Sequence, residues 1–263
     1  MKAMRAVRGA RITRRFQVLG AAAVAALVAL GSTAAKADDT QVAVAANFTE
    51  PAKEIATAFK AATGHNAILS FGSSGQFYTQ ISKGAPFQVF LSADTERPAK
   101  AEQEGLGVKG TRFTYAVGRL ALYSKTPGLV DGAGAVLKTS KFEKLSIADP
   151  VAAPYGMAAI ETLRKLGVYD TLKPKIVMGT SITQAYQFVD TGAAELGLVA
   201  YSQVINVAGG SRWLVPAKLH SPIEQQAILL QTGVDNPAAK AFLAFLKTPA
   251  ARAMIKKYGY EVR

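Results

Sequence analysis

Four short clusters of small and polar residues carry the chemistry this chain offers: Ala45-Ala46-Asn47, Gly72-Ser73-Ser74-Gly75, Pro154-Tyr155-Gly156 and Gly179-Thr180-Ser181-Ile182-Thr183. Each follows an apolar run that reads as a strand and precedes an amphipathic stretch that reads as a helix. The first N–H groups of a helix have no intrahelical partner and sit at the positive end of its dipole. Hydroxyl and amide side chains add further neutral donors. Hydrogen bonds to a charged acceptor are individually strong, so several such junctions in one cleft would capture a small tetrahedral oxyanion. Taken singly, each cluster also reads as an ordinary helix N-cap.

Catalytic chemistry is less well supplied. Ser74 lacks the G-x-S-x-G elbow of a hydrolase nucleophile, and nothing ties it to His65 or His220. Asp94 and Asp149 end strands and could pair as acid and base; an Asp in that place also caps or holds a turn. Gly132-Ala133-Gly134 does not complete a dinucleotide fingerprint. Trp213 reads as packing. The expectation is a binding protein and not an enzyme, with no cofactor and no direct metal ligand. An exported hydrolase is the alternative from another class.

The elements that must position these clusters follow from the periodicity. Strands are expected at 41–45, 66–71, 87–92, 115–123, 146–148, 175–177, 196–200 and 225–230. Helices are expected at 51–63, 77–83, 97–104, 157–166, 183–190, 237–246 and 249–258, with Gly64 ending the first. Strand and helix alternate, which implies α/β layers with parallel strands. The chain is read as two lobes: 38–121 with 218–263, and 122–217, with the ligand cleft between them. In open α/β sheets ligands sit at the carboxyl ends of strands, where helix N-termini point.

The first 37 of the 263 residues differ from the rest. Lys2, Arg5, Arg8, Arg11, Arg14 and Arg15 precede an apolar run from Val18 to Leu30, and Ala35-Lys36-Ala37 closes the segment. This is the pattern of a cleaved secretory signal peptide. The apolar run is shorter than the ~20 residues of a spanning helix. Thr13-Arg14-Arg15-Phe16 is a partial twin-arginine match, so Sec and Tat export both stay open. Removing the segment and its seven basic residues lowers the formal charge from +13 to +6. A field of that size attracts anions, but no cluster of Lys and Arg points to nucleic acid. The chain has no Cys, which excludes disulfides, thiolate metal sites and N-terminal lipid anchoring. Two His residues exclude a His-rich metal site.

A family resemblance narrows the ligand. Val44-Ala45-Ala46-Asn47-Phe48, Phe71-Gly72-Ser73-Ser74-Gly75, Gln80 to Phe87 (QISKGAPF), Leu91-Ser92-Ala93-Asp94, Ala148-Asp149-Pro150, Pro154-Tyr155-Gly156, Leu166 to Asp170 (LGVYD), Glu195-Leu196-Gly197 and Tyr258-Gly259-Tyr260 occur in order along the chain. This ordered set resembles the molybdate-binding periplasmic proteins of ABC importers. The resemblance implies a type II periplasmic-binding-protein fold, molybdate or tungstate as ligand, an inner-membrane ABC permease as partner, and a monomer in the periplasm. It places the oxyanion on Asn47, Ser74, Tyr155 and the backbone N–H of Ile182. The chain departs from some relatives at two points. Ala46 lacks a hydroxyl they carry, and Ala200 stands where they have a ligand Tyr, with Tyr201 one residue later. Whether Ala46, Ser73 or Tyr201 adds a donor stays open. Capture of another small oxyanion is the alternative within the binding class.

Overall fold

The computed structural model describes residues 37–139 and 141–262. The expected signal segment lies outside them, apart from Ala37.

In chain order the elements are β1 (Asp39–Ala45), α1 (Thr49–Thr63), β2 (Asn66–Gly72), α2 (Ser74–Ser82), β3 (Val89–Ser92), α3 (Glu96–Gln103), β4 (Phe113–Gly118) and β5 (Leu120–Ser124). Then come α4 (Val136–Thr139), β6 (Leu145–Ala148), α5 (Pro154–Lys165), α6 (Tyr169–Leu172), β7 (Ile176–Gly179), α7 (Ile182–Asp190), β8 (Leu196–Ala200) and α8 (Tyr201–Val204). The chain finishes with β9 (Ser211–Leu214), β10 (Ile223–Leu229), α9 (Pro237–Leu246) and α10 (Pro249–Lys257).

These strands form two five-stranded sheets, ordered β2-β1-β3-β10-β4 and β7-β6-β8-β5-β9. The fold is a two-lobed α/β substrate-binding fold. In the first sheet β1 runs parallel to β2 and β3, while β10 returns antiparallel between β3 and β4. In the second, β6 is parallel to β7 and β8, and β5 is antiparallel to β8 and β9. Both sheets are therefore mixed, where the alternation suggested parallel strands.

The apolar run 115–123 is not one strand. It breaks at Arg119, with β4 in the first sheet and β5 in the second. Leu120 and Ala121 accordingly pair in the second sheet, with Ala200 and Val199. Apolarity alone cannot show this break, because both halves are buried. The chain returns to the first sheet between β9 and β10, and a bridge between Val117 and Glu261 ties the C-terminus beside β4.

Five helices, α1, α2, α3, α5 and α7, begin earlier than periodicity predicts, and in α2, α5 and α7 the residues at the start account for it. α2 starts at Ser74 because Ser73 and Gln76 form a reciprocal capping box. α5 starts at Pro154, whose fixed φ and missing N–H suit the first helical position. α7 starts at Ile182 because the Ser181 hydroxyl accepts from the Gln184 N–H. Gly64 ends α1 at φ 77°, the left-handed conformation that only glycine adopts cheaply.

Each lobe has its own core. Phe48, Ile55, Phe59 and Phe242 are fully buried in the first, and Phe59 meets Phe242 edge to face at 5.2 Å. Leu120, Leu145, Leu163 and Leu198 anchor the second. Burying each such side chain contributes about 1.5–3 kcal/mol. Trp213 is buried in that second core, as its composition suggested. Small residues let the lobes approach: Ala45, Ala46 and Ala93 of the first pack with Tyr155 and Ile182 of the second.

Candidate functional site

The four polar clusters meet. One small cavity is lined by Ala45, Ala46, Asn47, Gly72, Ser73, Ser74, Ala93, Ala153, Pro154, Tyr155 and Ile182. Asn47 and Ser74 come from the carboxyl ends of β1 and β2 in one lobe. Tyr155 and Ile182 come from the ends of β6 and β7 in the other. No lining residue carries a charge. The free volume is about 10 Å³, room on the scale of one small polar species.

Hydrogen bonding decides what each residue can offer. Ser74 is buried, and its Oγ accepts from the Ala93 N–H at 2.9 Å. Its hydroxyl proton is left to donate. Ile182 is the first residue of α7, so its N–H has no intrahelical acceptor. The Tyr155 N–H stands equally at the start of α5. The Tyr155 hydroxyl accepts from Gln225 Nε2 at 3.2 Å.

Asn47 differs from the sequence expectation in how its amide is used. Its Nδ2 donates to Gln225 Oε1 at 2.8 Å and to the Tyr260 hydroxyl at 2.9 Å. Both amide protons are therefore committed inside the protein. Its backbone lies in a short helical turn over Ala46–Phe48 beside the cavity.

The three positions left open as donors sit differently. Ser73 caps α2, its Oγ accepting from the Gln76 N–H at 3.4 Å. Tyr201 packs with Tyr123 and Val204 and against Gly259, away from the cavity. Ala46 lines the cavity and has no side-chain donor. Asp94 and Asp149 hold turns: Asp94 accepts from the Arg97 N–H at 3.0 Å and Asp149 from the Val151 N–H at 2.9 Å. His65 accepts from the Asp38 N–H, and the His220 ring bonds the Ser221 carbonyl. Among the described residues, no group of three or more His, Cys, Asp or Glu could hold a metal ion.

A layer behind the cavity was not legible as functional. Tyr115, Gln225 and Tyr260 form a buried polar cluster around Asn47 and Tyr155. Burial raises the phenol pKa of Tyr115 and Tyr155 well above its usual value, and that of Tyr260 to about 12. Mutual repulsion with Tyr260 adds to the first two shifts. All three hydroxyls therefore stay protonated, as neutral donors. Gly118 makes room for this cluster. A Cβ there would lie 2.1 Å from the Tyr155 hydroxyl and 2.6 Å from Gln225 Nε2.

The lobes are joined across the cleft. The Gly75 N–H donates to the Ala152 carbonyl at 2.9 Å, and Arg97 Nη2 donates to the Val151 carbonyl at 2.8 Å. Ser202 Oγ donates to the Asn47 carbonyl at 2.9 Å. A larger groove of about 730 Å³ lies beside this junction. It is lined by Asp94, Glu96, Glu161 and Glu224 with Arg97 as the cation. Those carboxylates would repel a dianion, so the small uncharged cavity is the better anion site.

The model of the bacterial extracellular solute-binding proteins matches residues 40–261. The molybdate-binding protein ModA of Rhodobacter capsulatus is 59% identical over 241 residues, covering 92% of this chain and 95% of its own. This chain belongs to the ModA family. The Azotobacter vinelandii ModA is 56% identical over 241 residues, covering 89% of this chain and 96% of its own. The solved Azotobacter vinelandii periplasmic molybdate-binding protein superposes with a TM-score of 0.83 at 41% identity, covering 85% of this chain and 99% of that one. ModA membership agrees with the resemblance carried by the ordered motifs.

Proposed function

We propose that the chain captures molybdate, and tungstate with it, and hands the oxyanion to the membrane components of an ABC importer. The observation that carries this reading is the uncharged cavity where four strand-to-helix junctions converge, in a chain 59% identical to a molybdate-binding protein. The oxyanion would accept from the Ser74 and Tyr155 hydroxyls and from the backbone N–H groups of Asn47 and Ile182. Neutral donors suit reversible capture, since many bonds share the load and no fixed cation holds the ligand back.

Selection against sulfate follows from size, because both ions are tetrahedral dianions. The two lobes, exchanging chain at Arg119 and again between β9 and β10, would close on the ligand and present a joint surface to the permease. Export by a cleaved signal, a periplasmic location and a monomeric state complete the proposal. No cofactor and no catalytic step enter it.

Titration calorimetry tests the reading. Molybdate and tungstate should give tight binding, and sulfate weak or no heat. Absence of molybdate heat at micromolar protein overturns the reading. Heat with phosphate or sulfate in its place would support the other-oxyanion alternative. Molybdenum or tungsten found in the protein as purified would be independent support.

A further inference from the structure

Gln225 does not line the cavity, yet its amide sets which way a cavity donor points. It is wholly buried in β10, in the lobe opposite Tyr155. The chain of hydrogen bonds leading to it ends on two oxygens that draw on Tyr260. The Tyr260 hydroxyl lies 2.7 Å from the backbone carbonyl of Asn47 and 3.0 Å from Ser202 Oγ, which itself donates to that carbonyl. The carbonyl only accepts and Ser202 spends its proton on it, so the single Tyr260 proton goes to one of these two oxygens. With that proton committed, the Tyr260 oxygen offers only lone pairs to the Asn47 side chain. Asn47 must therefore present Nδ2 to it, at 2.9 Å. The second Nδ2 proton then requires an acceptor, which is Gln225 Oε1 at 2.8 Å. The Tyr115 hydroxyl lies 3.1 Å from the same oxygen and 3.2 Å from the Ser92 carbonyl, sharing its proton between two acceptors.

The polarity of Gln225 is thereby fixed, and its other end is a donor. Nε2 donates to the Tyr155 hydroxyl at 3.2 Å. Tyr155 cannot return its own proton to that nitrogen. Its remaining acceptor inside the protein is Tyr260. A neutral hydroxyl already accepting from Asn47 is a poorer acceptor than a dianion.

We propose that Gln225 is a positioning residue of the anion site, relaying the polarity of the Asn47 carbonyl so that the Tyr155 hydroxyl donates into the cavity. Were the amide reversed, Oε1 would take the Tyr155 proton, and the phenol would turn lone pairs toward the anion. This inference rests on the molybdate reading.

A double-mutant cycle tests it, with molybdate affinity measured by calorimetry for the wild type, Tyr155→Phe, Gln225→Met and the double variant. Thermal unfolding and near-ultraviolet dichroism of each ligand-free protein report its folding. Each single variant should bind at least tenfold more weakly. The double variant should bind no more weakly than Tyr155→Phe, because Gln225 acts through a hydroxyl that is then absent. A merely structural role would give losses that multiply, and that result overturns the inference, as would wild-type affinity in Gln225→Met. Gln225→Glu keeps an acceptor for Asn47 while replacing the donor to Tyr155 by an acceptor, and it runs the same cycle should Gln225→Met not fold. A wild type without molybdate heat overturns the ligand reading and this inference with it, whereas wild-type binding with multiplying losses overturns this inference alone.

Discussion

Ser74 Oγ accepts the N–H of Ala93 at 2.9 Å, and this one contact turns an ordinary helix-start serine into a directed donor. The backbone donor fills a lone pair of the hydroxyl, so its proton is left for the cavity. Truncation to Ala removes one hydrogen bond to a charged acceptor. Ser74→Ala should weaken molybdate binding by about 1.5–3 kcal/mol, roughly ten- to hundredfold. Calorimetry checks it, and unchanged affinity would remove Ser74 from the site.

Gly118 is expected to behave as a site residue although it offers no side chain. A methyl group there would sit 2.1 Å from the Tyr155 hydroxyl and 2.6 Å from Gln225 Nε2. Something must shift, and overpacking of this kind costs about 1–3 kcal/mol. The displaced atoms are the reaching end of Tyr155 and its partner. Gly118→Ala should therefore lose about tenfold or more in molybdate affinity, with both lobes still folded by dichroism. Full affinity would show that Tyr155 does not donate from this position.

Arg97 links the lobes from outside the cavity. Its guanidinium is held by Asp94 and donates to the Val151 carbonyl at 2.8 Å. Arg97→Ala removes a bond that exists only when the lobes meet, so it should act on release more than on capture. Stopped-flow measurements should show a severalfold faster dissociation of molybdate with a nearly unchanged association rate. An unaltered dissociation rate would contradict a latching role.

Alkaline pH should loosen the protein through its buried tyrosines. Burial raises the phenol pKa of Tyr115 and Tyr155 above the ordinary range and that of Tyr260 to about 12. In the unfolded chain these groups ionise near pH ~10. Above that pH the unfolded state has lost protons that the folded state keeps, so stability falls as pH rises. Their contribution is fully present below pH ~10 and is lost on the way toward the raised folded values. Thermal unfolding from pH 8 to 11 should show this fall, and Tyr115→Phe should fall less steeply. Equal slopes would exclude Tyr115 as a source.

Much of this protein was determined locally. Strand and helix periods gave the α/β class. The small-polar clusters containing Asn47, Ser74, Tyr155 and Ile182 marked the junctions, because helix starts need such residues whatever the fold around them. The ordered motifs gave the family. Tertiary structure alone decided which donors are already spent inside the protein. The break at Arg119 was hidden because both halves of the run 115–123 are apolar and buried, and burial on either sheet looks alike in sequence. The Asn47 amide could be read as a ligand donor until Gln225 and Tyr260, 178 and 213 residues away in sequence, were seen to take both its protons. Periodicity records how a side chain is buried, but the direction of a hydrogen bond depends on partners that only the folded chain brings together.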